Sequence, residues 1–265
     1  MSEAAVYLPT DDPETYESTP MANAGWYEEG QHGGAVAALV TGHVEHQIPT
    51  LVPMEIARVS LELFRVVPLV PLTIRTEVIR EGKRIQTVAA EISDPSGTVL
   101  TLVTVQRLRV ADQAIPAEAL PEPTQFPGPD DSEPTDFWRL ADKVMFHSHA
   151  IEFRAADGRL ADKGPATIWT RLKVPIVAGR AVTPAQRVAL AGDFANGIAH
   201  KLDDDWVYMN SDLTVGIARY PEGEWVAVAA DSLYPGRGRG LTRSSLWDPK
   251  SQVGQSTQTL FVHHS

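Results

Sequence analysis

The sequence contains no cysteine among its 265 residues. This absence excludes a disulfide framework, a thiolate zinc site and a cysteine nucleophile, so any chemistry must come from oxygen and nitrogen groups. The chain also lacks any run of roughly 18 apolar residues, and its start lacks the basic and apolar segments of a secretory signal. We therefore expect a cytoplasmic protein that does not cross a membrane.

Positively charged residues are few: 23 Lys and Arg stand against 34 Asp and Glu, giving a formal net charge of -11. A nucleic-acid backbone or an anionic membrane would repel such a chain, so neither is expected as its main partner. The histidines form three close pairs, but none has a further ligand at a spacing that would close a metal site. We predict no metal and no cofactor. The pairs are His43 with His46, His147 with His149, and His263 with His264.

Proline marks a boundary in the middle of the chain. Residues 111–136 contain six prolines among Glu and Asp. This composition buries little apolar surface and resists both helix and strand. We interpret the stretch as a linker between an N-terminal half, residues 1–110, and a C-terminal half, residues 137–265.

The two halves resemble each other. Asp94-Pro95 opens a β-rich run that ends near Val110, and Asp248-Pro249 opens another that continues to the C-terminus. The shift that superposes these turns carries Thr104 onto Gln258 without a gap. Other segments are strand-like, and in the first of them Leu72, Ile74 and Val78 alternate with polar residues, as in a half-buried strand. These predicted strands are Leu72 to Ile79, Ile85 to Ile92, Trp225 to Ala230 and Leu241 to Trp247, with further strands beginning at Arg58 and Asn210.

One helix is predicted before the strands of each half. Residues 33–40 are apolar or small on every side, which suits a helix wrapped by a sheet. In the second half, Thr183 provides an N-cap and Pro184 occupies the first position of a helix that reaches about His200. Each half is then a helix followed by an antiparallel meander, and the long repeat indicates a duplicated domain. The predicted fold class is α+β, with two copies side by side.

Several short motifs follow one another along the chain. They are Gly25-Trp26, Gln31-His32-Gly33-Gly34, Phe64-Arg65-Val66-Val67-Pro68, Arg80-Glu81-Gly82-Lys83-Arg84, Asp212-Leu213-Thr214 and Ser256-Thr257-Gln258-Thr259-Leu260. In order and spacing they resemble acyl-CoA thioesterase II-like proteins, the thioesterase-like superfamily of double hot-dog folds. The resemblance implies two tandem hot-dog repeats, each an antiparallel sheet wrapped around a central helix. It also implies hydrolysis of an acyl-CoA to a free acid and CoA, a reaction of fatty acid metabolism.

The resemblance points to three catalytic residues. In that family a water is oriented by an Asp on the second central helix, a hydroxyl or amide residue at the start of the following strand, and a Gln on the last strand. These positions fall on Asp193, Asn210 and Gln258. The best-known bacterial members have threonine at the second position, so Asn210 departs from them. Asp193 would act as general base, while the two amides hold the water without adding charge.

The start of the first helix is expected to bind the substrate. The backbone N–H groups of Gly33 and Gly34 can approach a thioester carbonyl, because no side chain blocks them, and could stabilise the oxyanion. His32 would cap the helix or contact the substrate. A basic cluster could meet the CoA phosphates, although an exposed hairpin turn would carry the same charges for solubility. Its members are Arg237, Arg239 and Arg243.

Plainer interpretations of the site residues stay open. Gln258 would suit an outward-facing strand position, and Asn210 a turn-type hydrogen bond at the start of its strand. Four polar residues recur at helical spacing and would suit a solvated helix face: Gln186, Asp193, Asn196 and His200.

Two other functions compete with hydrolysis. A non-catalytic acyl-thioester binding or scaffold protein could keep the fold without turnover, and Asn210 keeps that alternative open. An enoyl-thioester hydratase would need an Asp and a His a few residues apart, but no His follows Asp193 until His200. We also expect a homodimer or larger assembly, because exposed sheet edges favour association.

Overall fold

The computed structural model describes residues 4–25, 30–137, 143–160, 162–203 and 205–264. Trp26, part of the first motif, lies outside these residues. Within them, fourteen antiparallel strands form one sheet that packs against three helices. The helices are α1 (Gly33–Gln47), α2 (Pro184–Asp193) and α3 (Ala195–Ile198). The strands are β1 (Tyr7–Pro9), β2 (Thr15–Ser18), β3 (Met54–Leu63), β4 (Leu72–Arg80), β5 (Ile85–Ser93), β6 (Val99–Arg109), β7 (Glu133–Thr135), β8 (Ile151–Asp157), β9 (Ala166–Leu172), β10 (Trp206–Asn210), β11 (Asp212–Ile217), β12 (Val226–Gly236), β13 (Arg239–Trp247) and β14 (Gln252–His264).

The strands of the two halves occupy separate parts of the sheet. The order is β1-β2-β4-β5-β6-β3-β11-β14-β13-β12-β9-β8-β7, and β10 also pairs with β14. The halves join where β3 pairs with β11, with Leu61 opposite Leu213 and Ser60 opposite Thr214. This junction makes one continuous sheet across both repeats.

Helix α1 is buried from Gly34 to Val44. It packs against α2 and against β3, β4 and β6. Small and apolar residues on every side make this burial possible, since no face of the helix has to meet water. The predicted central helix of the first half is confirmed.

Helix α2 begins with a capping box. The Thr183 side chain accepts a hydrogen bond from the Gln186 N–H, and the Gln186 side chain accepts one from the Thr183 N–H. Pro184 occupies the first turn, as predicted. The predicted element order is wrong here, because β7, β8 and β9 precede α2. These strands extend the sheet beyond β12, with which β9 pairs, and so cover the second helix on its far side.

The polar face of α2 packs against α1. Gln186 Nε2 donates to the main-chain oxygen of Ala38 at 2.9 Å. A Cβ on Gly42 would lie 2.2 Å from the same nitrogen, so the close approach requires glycine at that position. Gln186 and Asp193 are buried. The solvated-face interpretation of this helix is therefore wrong for both residues.

The alignment of Thr104 with Gln258 is also wrong. Ser93 pairs with Val99 across the first connection, whereas Trp247 pairs with Gln252 across the second, which is one residue shorter. Because side chains alternate between the faces of a strand, a shift of one residue exchanges inward and outward positions. The position equivalent to Gln258 is therefore the buried Val105. Only the second half places an amide there.

The predicted linker, residues 111–136, crosses the surface of the second half. Its first part is exposed, but Phe126 packs against Trp169 and Trp247, with ring centroids 5.6 and 5.8 Å away. The expectation of no strand is wrong at its end, where β7 pairs with β8. The two outermost strands, β1 and β7, have three residues each and both contain proline. Such short edges offer little for strand pairing with another chain, so these two edges do not supply the reason for association given above.

A buried ion pair fixes the connection before β14. Arg219 binds both carboxylate oxygens of Asp248, at 2.6 and 2.7 Å, and three backbone N–H groups also donate to that carboxylate. Burial alone would raise the pKa of Asp248, but these bonds outweigh it and lower the pKa to about 2. The donors are those of Glu222, Lys250 and Ser251.

We expect Asp248→Asn to lower the free energy of unfolding by roughly 3 kcal/mol at pH 7, because Arg219 loses its buried partner. Since the folded pKa is depressed, the ionised group stabilises the fold at neutral pH, and this contribution disappears as pH falls from 3.8 towards about 2. Urea unfolding at pH 7 and pH 3 measures both effects. Glu222→Gln, which breaks only an exposed pair with Lys250, should change stability by under about 1 kcal/mol. Equal losses of unfolding free energy in the two variants would contradict the assignment of Arg219 and Asp248 as a stabilising buried pair.

Candidate active site

Asp193 is a buried carboxylate at the end of α2. Its side chain is 6% exposed, and Oδ2 lies 3.0 Å from His32 Nδ1. Oδ1 accepts hydrogen bonds from Asn210 Nδ2 at 3.1 Å and Gln258 Nε2 at 3.2 Å. The structure thus brings together the three residues to which the resemblance pointed, and it adds His32 to them.

Gln258 is held in one orientation by main-chain groups. Its Oε1 accepts from the Asn196 N–H at 3.1 Å, and its Nε2 also donates to the main-chain oxygen of Asp193 at 3.2 Å. A main-chain N–H only donates and a carbonyl only accepts, so the amide nitrogen must face Asp193. Gln258 is 1% exposed, so the outward-facing interpretation is wrong.

Asn210 enters the site because its strand is interrupted. It ends β10 opposite Leu260, and Ser211 separates it from β11. Its Nδ2 donates to Asp193 rather than to a local turn. Within the described residues its Oδ1 makes no hydrogen bond, so this oxygen is available to accept one from a water.

His32 caps the start of α1 and lies against Asp193. Its Nδ1 accepts a hydrogen bond from the Gly34 N–H at 3.1 Å, as an N-cap does, and lies 3.0 Å from Asp193 Oδ2. One ring nitrogen cannot accept from an N–H and donate to a carboxylate at once. Because Nδ1 accepts from the Gly34 N–H, it meets the carboxylate at 3.0 Å without donating to it.

Gly33 allows the carboxylate to approach the start of α1. A Cβ at this position would lie 2.8 and 2.9 Å from Asp193 Oδ1 and Oδ2. The Gly33 N–H makes no hydrogen bond within the described part of the chain, whereas the Gly34 N–H points at the His32 ring. Of the two predicted oxyanion donors, the Gly33 N–H is therefore the one left unbonded.

Aromatic rings enclose the other side of His32. Its ring centroid lies 4.8 Å from that of Phe194 and 5.1 Å from that of Phe146. Phe137 and Phe153 extend the cluster around Phe194. Their wide separation in sequence left this cluster undetected, since no periodic pattern links them. The imidazole is thus held between a carboxylate and an apolar wall.

The predicted phosphate contacts lie elsewhere. Arg243 pairs with Thr257, the neighbour of Gln258, so its side chain is on the outer face of the sheet, opposite Asp193. There it borders a cavity of about 500 Å³ that Asp193, Asn210 and Gln258 do not line. Arg239 pairs with Phe261 and also faces outward. Arg243 is therefore not brought to the site by the fold.

Arg237 lies at the tip of the hairpin between β12 and β13. Arg237 lies between Gly236 and Gly238, and its φ of 61° places it in the left-handed region. The tip lies at the end of the sheet where Asn210, Leu260 and Gly240 share a row. Contact between Arg237 and CoA phosphates stays a prediction.

The histidine pairs do not form metal sites in the described residues, where no three His, Asp or Glu side chains group around a common point. His43 Nδ1 instead lies 2.9 Å from the Tyr16 hydroxyl. Burial, with Arg180 and His46 nearby, lowers the pKa of His43 to about 4, so its ring is neutral at pH 7. None of the helices in the described ranges has both the length and the apolar character needed to cross a membrane.

Family models match both halves of the chain. Residues 23–107 match the acyl-CoA thioesterase N-terminal domain, and residues 117–262 match the acyl-CoA thioesterase C-terminal domain. The chain belongs to the acyl-CoA thioesterase family. The thioesterase is accordingly a thioester hydrolase, as the sequence motifs predicted.

Solved structures share the fold of the thioesterase. A hot-dog protein of unknown function from Alicyclobacillus acidocaldarius superposes with a TM-score of 0.76 at 16% identity, covering 97% of this chain and 96% of the other. Acyl-CoA thioesterase II from Mycobacterium marinum gives 0.65 at 15% identity, covering 97% and 94%. No curated protein sequence matches the thioesterase significantly. The predicted α+β double hot-dog fold is confirmed.

Proposed function

We propose that this thioesterase hydrolyses an acyl-CoA to a free acid and CoA, using a water that Asp193 deprotonates. The observation that carries the proposal is the convergence of Asp193, Asn210, Gln258 and His32 beside the glycine start of α1. A buried carboxylate with fixed orientation is suited to general-base catalysis, which typically contributes about 10² to 10⁴-fold.

Each neighbour of the carboxylate would have a separate task. Gln258 and Asn210 orient the carboxylate through Oδ1, and Asn210 Oδ1 accepts a hydrogen bond from the attacking water. The water oxygen bonds to the thioester carbon while its proton passes to Asp193. The Gly33 N–H then stabilises the oxyanion, for which one donor is typically worth about 10² to 10³ in rate.

The second half of the reaction returns the proton. When the oxyanion collapses, the carbon–sulfur bond breaks and CoA leaves as a thiolate. The proton that Asp193 took from the water is then available to the sulfur, which gives the free thiol and the carboxylic acid. No cofactor is needed, because every atom comes from water and substrate.

Release of free thiol from short, medium and long acyl-CoAs tests the proposal directly. We expect turnover of at least one member of the series by the wild type, with Arg237→Ala raising KM if its side chain meets the CoA phosphates. Acyl-CoAs that raise the melting temperature without any thiol release would instead indicate a non-catalytic binding protein. A cytoplasmic location and a homodimer or larger assembly complete the proposal, and sedimentation measures the assembly.

A further inference from the structure

Asn196 connects two residues of the candidate site. Its main-chain N–H donates to Gln258 Oε1 at 3.1 Å, and its side-chain Nδ2 donates to the main-chain oxygen of Tyr208 at 3.1 Å. Tyr208 lies on β10, two residues before Asn210. Asn196 therefore links the strand that carries one amide to the side chain of the other.

The N–H of Asn196 is free for this bond because the helix stops. In an uninterrupted helix it would donate to the Gly192 carbonyl, four residues earlier. Here that carbonyl accepts from Ser256 Oγ at 2.9 Å, and Phe194 separates α2 from α3. Two inward side chains of β14, Ser256 and Gln258, thus bond the groups that the break leaves open.

We propose that Asn196 is a positioning residue for the hydrolysis. By anchoring α3 to β10 it holds in place the N–H that orients the Gln258 amide, and through Gln258 it orients the Asp193 carboxylate. The inference rests on the proposed function, and it adds a residue that contacts no reacting atom.

The chemistry of the Asn196 side chain supports a specific role for its amide. Nδ2 must face the Tyr208 carbonyl, since that group can only accept a hydrogen bond. This orientation leaves Oδ1 buried without a partner in the described residues. A buried acceptor without a partner is unfavourable, and an apolar residue would avoid the cost. The Nδ2 bond to β10 is what an apolar residue could not supply.

Steady-state kinetics of Asn196→Ala test the proposal. We expect kcat to fall about tenfold while KM changes by less than twofold, because the substrate still binds but the base is misaligned. His200→Ala is the matched control, since His200 stacks on the Tyr208 ring yet makes no bond to Gln258. Equal kcat values in Asn196→Ala and the wild type would overturn the proposal.

Asn196→Asp separates positioning from fold stability. The carboxyl keeps the shape of the amide but donates to the Tyr208 carbonyl only when protonated. At low pH we expect the kcat of Asn196→Asp to be close to that of the wild type. As pH rises and the new carboxyl ionises, kcat should fall relative to the wild type, a pH dependence that Asn196→Ala does not show. A role in stability alone would shift the urea midpoint and leave the pH profile of kcat unchanged.

A crystal structure of Asn196→Ala provides a readout that does not depend on turnover. We expect Gln258 Nε2 to move beyond hydrogen-bond distance of Asp193 Oδ1. An unchanged Gln258 amide would refute the inference even if the enzyme is active. Conversely, a wild type without activity on any thioester refutes the proposed function, while the crystal structure still decides the role of Asn196.

Discussion

Gly33→Ala should lower kcat/KM about 100-fold, the loss that a misplacement of about 1 Å can cause in an active site. The added Cβ would lie 2.8 and 2.9 Å from the two carboxylate oxygens of Asp193. Real contacts of this kind are not that short, so the carboxylate or the start of α1 must shift. Either movement separates the base from the N–H that we assign to the oxyanion.

Gly216→Ala is the matched control for this substitution. Gly216 lies on β11 in the second half, and the nearest atom to its added Cβ is Gln255 Cγ at 3.9 Å, an ordinary contact. We expect wild-type kinetics from Gly216→Ala, measured as thiol release from the best acyl-CoA. If both variants keep full activity, Asp193 does not work from the position beside Gly33.

Asp193→Asn is expected to lower kcat by about 10² to 10⁴-fold, the usual contribution of a general base. An amide cannot take the proton of the water. Its NH2 group would also face either the two amide donors on Oδ1 or the ring nitrogen of His32. The measurement is kcat on the same acyl-CoA, with circular dichroism and urea unfolding to show that the variant is folded.

Glu45 offers a matched control for the loss of Asp193. It lies near the end of α1 as Asp193 lies at the end of α2, and its Oε2 accepts from the cap residue of α2, Thr183, at 2.5 Å. Burial raises the pKa of Glu45. Glu45→Gln should leave kcat unchanged, because this carboxylate is far along α1 from Gly33. A similar loss in both variants would mean that buried carboxylates act here through stability rather than chemistry.

The sequence was sufficient for the fold and for three members of the site. The apolar helix after Gly33, the cap at Thr183 and the alternating strands follow from local patterns, which act over a few residues. Asp193, Asn210 and Gln258 came from resemblance, and the structure brings them to one carboxylate. Their roles as base and orienting amides stay predictions.

Other features depend on contacts that no local pattern contains. The contact between His32 and Asp193 requires the end of α2 to meet the start of α1, which is tertiary packing. Arg243 seemed available for phosphates because the sequence does not show on which face of the sheet a side chain lies when the connection between strands is bulged or shortened. Asn196 resembled a solvated helix residue because its spacing from Asp193 suits one continuous helix, although Gly192 and Gly197 flank the break at Phe194.

The one-residue difference between the connections of β5 to β6 and β13 to β14 bears on protein engineering. A designer who wished to copy the amide of the second repeat into the first would choose Thr104 from the aligned sequences. The new side chain would then lie on the outer face of the sheet, away from the helices. The buried position is Val105. In the first half, Glu45 near the end of α1 is the acid whose position most resembles that of Asp193. Thr183 already donates a hydrogen bond to Glu45, so a second centre would require breaking that bond as well as adding the amide.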